Sequence, residues 1–147
     1  MSDYFEQLKD SASKYIAIEG LRKDQPNLDY NKFIKEAYAR QIKIHGFAMT
    51  KPSFIAQCPF YSVDSSRWLN PIKYGCFDIW EPKKMLLKTV KSTQKDFMKF
   101  NIKVDLHSKN REEDIAKRKL LHAADQFYFM ERDFTKLWEA RGIKWRD

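Results

Sequence analysis

The feature that most constrains the fold is a run of apolar residues near the C-terminus. Ala116, Leu120, Ala123, Phe127, Met130, Phe134 and Leu137 follow one another in alternating steps of four and three. Such steps return to the same side of an α-helix every two turns, so the spacing predicts one long helix reaching Ala140, with a seam about three heptads long. Ser108 or Asn110 can cap its start, Glu112 and Glu113 lie near its positive end, and Gly142 stands just past its last turn. Leu121, Ala124, Tyr128 and Trp138 widen the apolar face, as in a helix that packs on its own neighbours. Phe127 and Phe134 nevertheless carry more apolar area than one short chain readily covers. The helix is therefore expected to take a protein partner or a second copy, with Leu120, Phe127, Met130, Phe134 and Leu137 as the interface. Glu131 falls near the middle of the widened face and, if that face is buried, would need Lys or Arg from a neighbour, such as Arg132 of a second copy.

Upstream, Tyr4, Phe5, Leu8, Ala12, Tyr15 and Ile16 sit at helical spacing before Gly20, which predicts a first helix over 3–18. Asp29 can cap a second, running to His45 with Tyr30, Phe33, Ile34, Ala37, Tyr38 and Ile44 inside and Gly46 as its stop. Residues 47–82 hold four of the five prolines, both cysteines and the aromatics Phe54, Phe60, Tyr61, Trp68, Tyr74, Phe77 and Trp80 with little helical period, so they read as irregular, with a short hairpin around Asn70-Pro71. From Glu81 to Phe100 the helical period returns. Lys84, Lys88, Lys91, Lys95 and Lys99 recur at steps of four, three, four and four, which on a helix confines them to an arc of roughly 80°. Leu86, Val90, Thr93, Phe97 and Phe100 fall on the opposite side. Ile102, Val104 and Leu106 then alternate with Lys103 and Asp105, as in a short strand or extended connector. The expected fold is mainly α: a small bundle of about four helices around an irregular, aromatic-rich insertion that holds the hairpin. The expected organisation is a single domain, 1–147, made of an N-terminal helical pair (1–46), the aromatic and proline-rich segment (47–82), and the basic helix with the long C-terminal helix (83–147).

The lysine pattern directs the functional reading. Only Glu81 and Asp96 could neutralise the five lysines locally, so Lys88, Lys91 and Lys95 lack a counter-charge one helical turn away. The basic surplus is concentrated there: residues 83–147 hold 17 Lys and Arg against 10 Asp and Glu, in a chain of net charge +8. Lysine outnumbers arginine 20 to 8, which suits loose contact with phosphates better than bidentate reading of bases. Trp68, Tyr74 and Trp80 lie near enough in sequence to stack unpaired bases. These residues predict a small, basic, non-catalytic accessory protein that associates with nucleic acid, DNA or RNA, through the phosphate backbone. The alternative is a structural subunit of a larger assembly, such as a virion or a ribonucleoprotein particle, docking through the long helix and the aromatic segment.

Other chemistry finds less support. Cys58 and Cys76 are too few for a secreted disulfide framework, and no run of about 20 apolar residues is present to span a bilayer. An intracellular protein, or one carried in a virion, is expected, with no membrane partner. His45, Cys58, Cys76, His107 and His122 show none of the close ligand spacings of zinc sites, so neither metal nor cofactor is predicted. No serine or cysteine stands in a glycine-rich elbow, which leaves nucleophilic catalysis without a motif. Asp64 followed by Glu81-Pro82-Lys83 resembles the Asp…Glu-x-Lys set of metal-dependent nucleases. Proline in that motif is a departure, because the motif normally rides on a central strand where proline removes a ladder donor.

Overall fold

A computed structural model describes residues 14–19, 30–91 and 110–145, and its fold is mixed α/β where a helical bundle was expected. The chain divides into two compact units, Met1–Ser65 with Gly142–Asp147, and Ser66–Arg141.

The first unit is built on a three-stranded parallel sheet of β1 (Tyr15–Glu19), β2 (Lys43–Phe47) and β3 (Ser62–Val63), in that order. Helix α1 (Tyr30–Ala39) and the single turn α2 (Pro52–Ile55) lie between successive strands in the sequence. Tyr15 and Ile16, expected on a first helix, begin β1 instead, and residues 3–13 of that expected helix fall outside the described residues. The second expected helix stops early. Gln41 takes a left-handed conformation at φ 60°, its N–H reaches Tyr38 O at 2.9 Å, and the Ile42 N–H reaches back to Ala37 O at 2.9 Å. These two bonds form a Schellman cap, closed by burial of Ile42. The chain leaves the cap as a strand. Ile42, Ile44 and Gly46 are buried while Lys43, His45 and Phe47 face the other way, the period-two pattern of a sheet with one face on a core. That core gathers Ile16, Tyr30, Ile34, Ala37, Ile44, Met49, Cys58 and Phe60, with Phe54 edge-on to Tyr30. The terminal segment belongs to this unit as well: Trp145 packs edge-on against Tyr38 and Tyr61, and Tyr38 exchanges hydrogen bonds with the Lys144 backbone.

The second unit pairs a β-hairpin with one long helix. A 3-10 turn (Ser66–Leu69) and the short helix α3 (Asn70–Lys73) occupy the place where a hairpin was expected. The hairpin comes later, from β4 (Cys76–Glu81) and β5 (Leu86–Lys91), joined by a 3-10 turn at Pro82–Lys84 and by Met85 in the left-handed region at φ 50°. The lysine helix therefore does not form over 81–91, and residues 92–109, with Lys95, Lys99 and the expected 102–106 strand, lie outside the described residues. Burial decides against the helix. Phe77, Trp80 and Leu87 are all buried, and Trp80 pairs with Leu87 across the ladder, an arrangement a lysine-striped helix could not give.

The C-terminal helix, α4, runs Arg111–Ala140, as its four-three spacing predicts. It carries Glu112, Glu113 and Asp114 in its first turn, and Gly142 follows at φ 82°. Its seam packs within the unit, against β4, α3 and the 66–69 turn. Gln126 Oε1 accepts the backbone N–H of Trp80 at 2.9 Å, so α4 takes up a hydrogen bond that an edge strand would otherwise leave open.

A buried carboxylate ties the hairpin to the preceding turn. Asp78 is 3% exposed; Arg67 Nη2 donates to its Oδ1 at 2.9 Å, Arg67 Nε donates to Oδ2, and the Thr89 hydroxyl donates to Oδ1 at 2.6 Å. Burial alone would raise this carboxyl's pKa, but the hydrogen bonds from Arg67 and Thr89, with the guanidinium charge, together hold it below the usual carboxylate range. Its ionised form is thus favoured by folding, and the stability it gives is present above about pH 4 and lost as pH falls through the lowered folded value. Asp78→Ala strands Arg67 and is expected to cost about 3 kcal/mol, the low end for a broken buried pair because Arg67 is partly exposed. Urea unfolding at pH 7 should show that loss, and the variant should lose less of its remaining stability on acidification than the wild type.

Gly46 gives a second test. A Cβ there would lie 2.7 Å from Met49 Sδ and 3.0 Å from both Met49 Cβ and Phe60 Cε1. Gly46→Ala is expected to destabilise by about 1–3 kcal/mol through overpacking, read as a lower urea midpoint at unchanged slope.

Candidate functional site

On the face of the parallel sheet turned away from the core, the strand register assembles a polar group that no local motif announces. His45 on β2 lies opposite Ser62 on β3, and Tyr15 stands two residues before Ala17, His45's partner on β1. His45 Nδ1 is 2.8 Å from Ser62 Oγ, which is 3.2 Å from the Tyr15 hydroxyl. The other ring nitrogen, Nε2, faces Asp64 Oδ2 at 3.9 Å. Ser62 Oγ can donate to Nδ1 or accept from it, and either hydroxyl can be the donor between Tyr15 and Ser62; the Asp64 carboxylate near Nε2 favours the tautomer with the ring proton on Nε2, in which Ser62 donates to Nδ1.

Asp64 is held in place from behind. Its Oδ1 accepts the Ala48 N–H at 2.9 Å and its own N–H donates to Gly46 O at 3.2 Å. Ala48 adopts a left-handed conformation at φ 56°, a cost for a residue with a Cβ, and that conformation aims its N–H at the carboxylate. Tyr15 opens β1, His45 is the middle residue of β2 and Ser62 opens β3, so the group sits on the sheet face, toward the amino ends of β1 and β3. Around it are aromatic rings: Phe47 edge-on to His45 at 4.7 Å, Tyr15 stacked on His45 at 6.3 Å, and Tyr61 edge-on to Tyr15 with the Lys43 ammonium 4.3 Å above its ring. His45 is only 15% exposed in its side chain, whereas Asp64 is 55% exposed. Sequence reasoning placed His45 at a helix end and weighed Asp64 only for a metal. The readable signal was the alternation Ile42, Lys43, Ile44, His45, which marks a strand, but not which strand would pair with it.

Of the residues picked out for polyanion contact, Lys84, Lys88 and Lys91 are dispersed along the hairpin. Lys84 lies in the turn and is bound to Glu81 at 2.8 Å. That bond lowers the pKa of Glu81 and raises that of Lys84. Lys88 and Lys91 are exposed on β5 three positions apart, so they leave opposite faces of the strand. Of the three aromatics, Trp68 is 41% and Tyr74 73% exposed, but Trp80 is 6% exposed and its indole N–H donates to Asp133 at 2.8 Å. Trp80 is therefore part of the core and is withdrawn as a stacking residue. Glu81-Pro82-Lys83 is a strand end running into a turn, not the central strand that nuclease chemistry uses.

The expected partner interface is largely internal. Met130 and Phe134 are buried, Leu120, Phe127 and Leu137 are partly buried, and Phe134 meets the Trp80 ring at 5.6 Å. Glu131 is exposed, so it needs no cation from a second copy. Leu121 and Tyr128, at 57% and 60% exposure, flank the seam on α4 with exposed Ala124 between them. His122 packs edge-on against Phe77 at 5.3 Å with Nε2 buried and unpartnered, and burial lowers its pKa. Neither Cys58 nor Cys76 forms a disulfide, and no group of three or more metal-ligating side chains occurs among the described residues. No helix among the described residues is long and apolar enough to cross a membrane.

Comparison of the chain with protein-family models, with curated proteins and with solved structures gives no match.

Proposed function

We propose that this chain is a small basic accessory protein that associates with nucleic acid, DNA or RNA, through phosphate contacts made by its Ser66–Arg141 unit, without catalysis in that unit. The carrying observation is the hairpin itself. Lys83, Lys84, Lys88 and Lys91 are exposed along a turn and strand whose partner, β4, is anchored on α4, and only Lys84 among them forms an ion pair within the described residues. Six strand residues extend about 20 Å, so the charges are spread over a length suited to a chain of phosphates more than to one small anion. Trp68 and Tyr74, exposed in the segment that leads into β4, offer rings on which unpaired bases can stack, each contributing on the order of 1–3 kcal/mol.

Salt titration tests this reading. Changing Lys83, Lys88 and Lys91 to glutamine is expected to lower affinity alike for all sequences and to reduce the slope of log K against log salt by about 2–3 units. Trp80 emission serves as the control for an intact fold. A slope that stays at the wild-type value removes the hairpin from the binding site. Iodide quenching of Trp68 should fall when a single-stranded oligonucleotide is added, and full accessibility in a saturated complex would rule out stacking there.

The outer side of α4 favours a second reading, a subunit that docks on another protein. Leu121, Ala124 and Tyr128 are spaced by three and four and form an exposed apolar stripe beside the buried seam, roughly a third of the way around the helix from it. Binding through that stripe would respond to Tyr128→Lys and scarcely to salt, the reverse of the phosphate-contact pattern.

A further inference from the structure

The sheet-face group of the first unit holds what acyl transfer requires, in places the sequence alone does not bring together. We propose that Ser62 is an acyl-accepting nucleophile, that His45 is its general base, and that the substrate class is an activated carboxylic ester with a small apolar or aromatic acyl group. This activity goes beyond nucleic-acid association and does not depend on it, since that association is assigned to the other unit.

Three relations carry the proposal. The first is the 2.8 Å contact between Ser62 Oγ and His45 Nδ1, within the range for a nucleophile and its base. The second is Asp64 on the far side of the imidazole. It faces Nε2 and is fixed through Oδ1 by the Ala48 N–H, so it favours the tautomer that leaves Nδ1 free to take a proton and stabilises the imidazolium that follows. The third is the Tyr15 hydroxyl, 3.2 Å from Ser62 Oγ, a donor beside the point where a tetrahedral oxyanion would form. Substrate class follows from the surroundings. Tyr15 and Phe47 are each 47% exposed and flank the histidine with aromatic surface, while the exposed Asp64 carboxylate disfavours an anionic acyl group.

The chemistry closes on itself. Ser62 Oγ attacks the carbonyl carbon as its proton passes to His45 Nδ1, and Tyr15 donates to the oxygen that gains charge. The carbon–oxygen bond to the leaving alcohol then breaks, and the alcohol takes the proton from His45. Water, deprotonated by His45, attacks the acyl-serine, releasing the carboxylic acid and restoring the Ser62 hydroxyl. Tyr15, Ser62 and His45 touch the reacting atoms; Asp64 positions the base.

Two probes on the full chain test the assignment. With p-nitrophenyl butyrate, a burst of p-nitrophenolate approaching one per chain is expected. With an alkyl fluorophosphonate, Ser62 forms the oxygen–phosphorus bond, fluoride leaves, and the hydroxyl proton passes through His45 to solvent. Peptide mass mapping should then place one adduct on Ser62. Ser62→Ala should lose both signals. His45→Gln should slow labelling by about 10²-fold or more, and Tyr15→Phe should slow it about tenfold or more. Asp64→Asn should keep the adduct on Ser62 but slow labelling about tenfold, and Asp64→Glu should recover most of the rate, a rescue that a merely structural role would not produce. An unlabelled wild type, an adduct on another residue, or labelling that persists in Ser62→Ala overturns the proposal. If Ser62→Ala does not fold, wild-type rates in folded His45→Gln and Tyr15→Phe overturn it equally.

Discussion

Everything in the first unit depends on where α1 is made to stop. The helix must release the chain at Ala39 so that Ile42 and Ile44 can enter the sheet, and it does so with Gln41 in a left-handed conformation. That conformation costs a non-glycine residue on the order of 1 kcal/mol. The two capping hydrogen bonds and the burial of Ile42 and Ile44 offset it, each side chain being buried to 6% exposure or less. Had the helix continued to His45, the alternating residues would have wound around a cylinder. No sheet face would then have brought His45 beside Ser62.

This is also where sequence reading reached its limit. Glycine is the usual helix stop, and Gly46 stood where a stop could be imagined. Its actual role is to leave room for Met49 and Phe60 behind β2. The first strand is five residues long, too short for its alternation to outweigh a helical spacing shared with its neighbours. In the hairpin, the steps between Lys84, Lys88 and Lys91 fit a helix as well as they fit a turn followed by a strand, and the choice is made by burial of Trp80 and Leu87, which is tertiary information. Helix α4 was legible because a four-three pattern sustained over some twenty residues admits one interpretation. What that helix packs against was not legible, since β4 lies more than thirty residues upstream.

The candidate sites divide along the same line. Single residues could be read, such as the exposed lysines and the exposed Trp68 and Tyr74. Pairs could not, because Ser62 and His45 are 17 positions apart and meet only through parallel strand pairing. Trp80 shows the opposite error. Aromatic content pointed to stacking, yet its indole and backbone N–H groups are both taken up by α4, through Asp133 and Gln126. A buried tryptophan with both donors satisfied is a clamp between hairpin and helix.

The two edges of that hairpin have different fates. One side of β4 is closed by α4, whereas on the far side of β5 no described strand pairs with the chain, and the residues standing there include Lys88 and Lys91. Positive charge on an open edge keeps a second copy from adding its own strand, because two such edges repel. On the proposed association with nucleic acid, a polyanion that neutralised the lysines would remove this protection at the moment of binding. Copies crowded along one nucleic-acid strand would then meet with their edges uncharged, and clustering of the protein would rise with the phosphate supplied until free phosphate chains outnumber the protein and dilute it again.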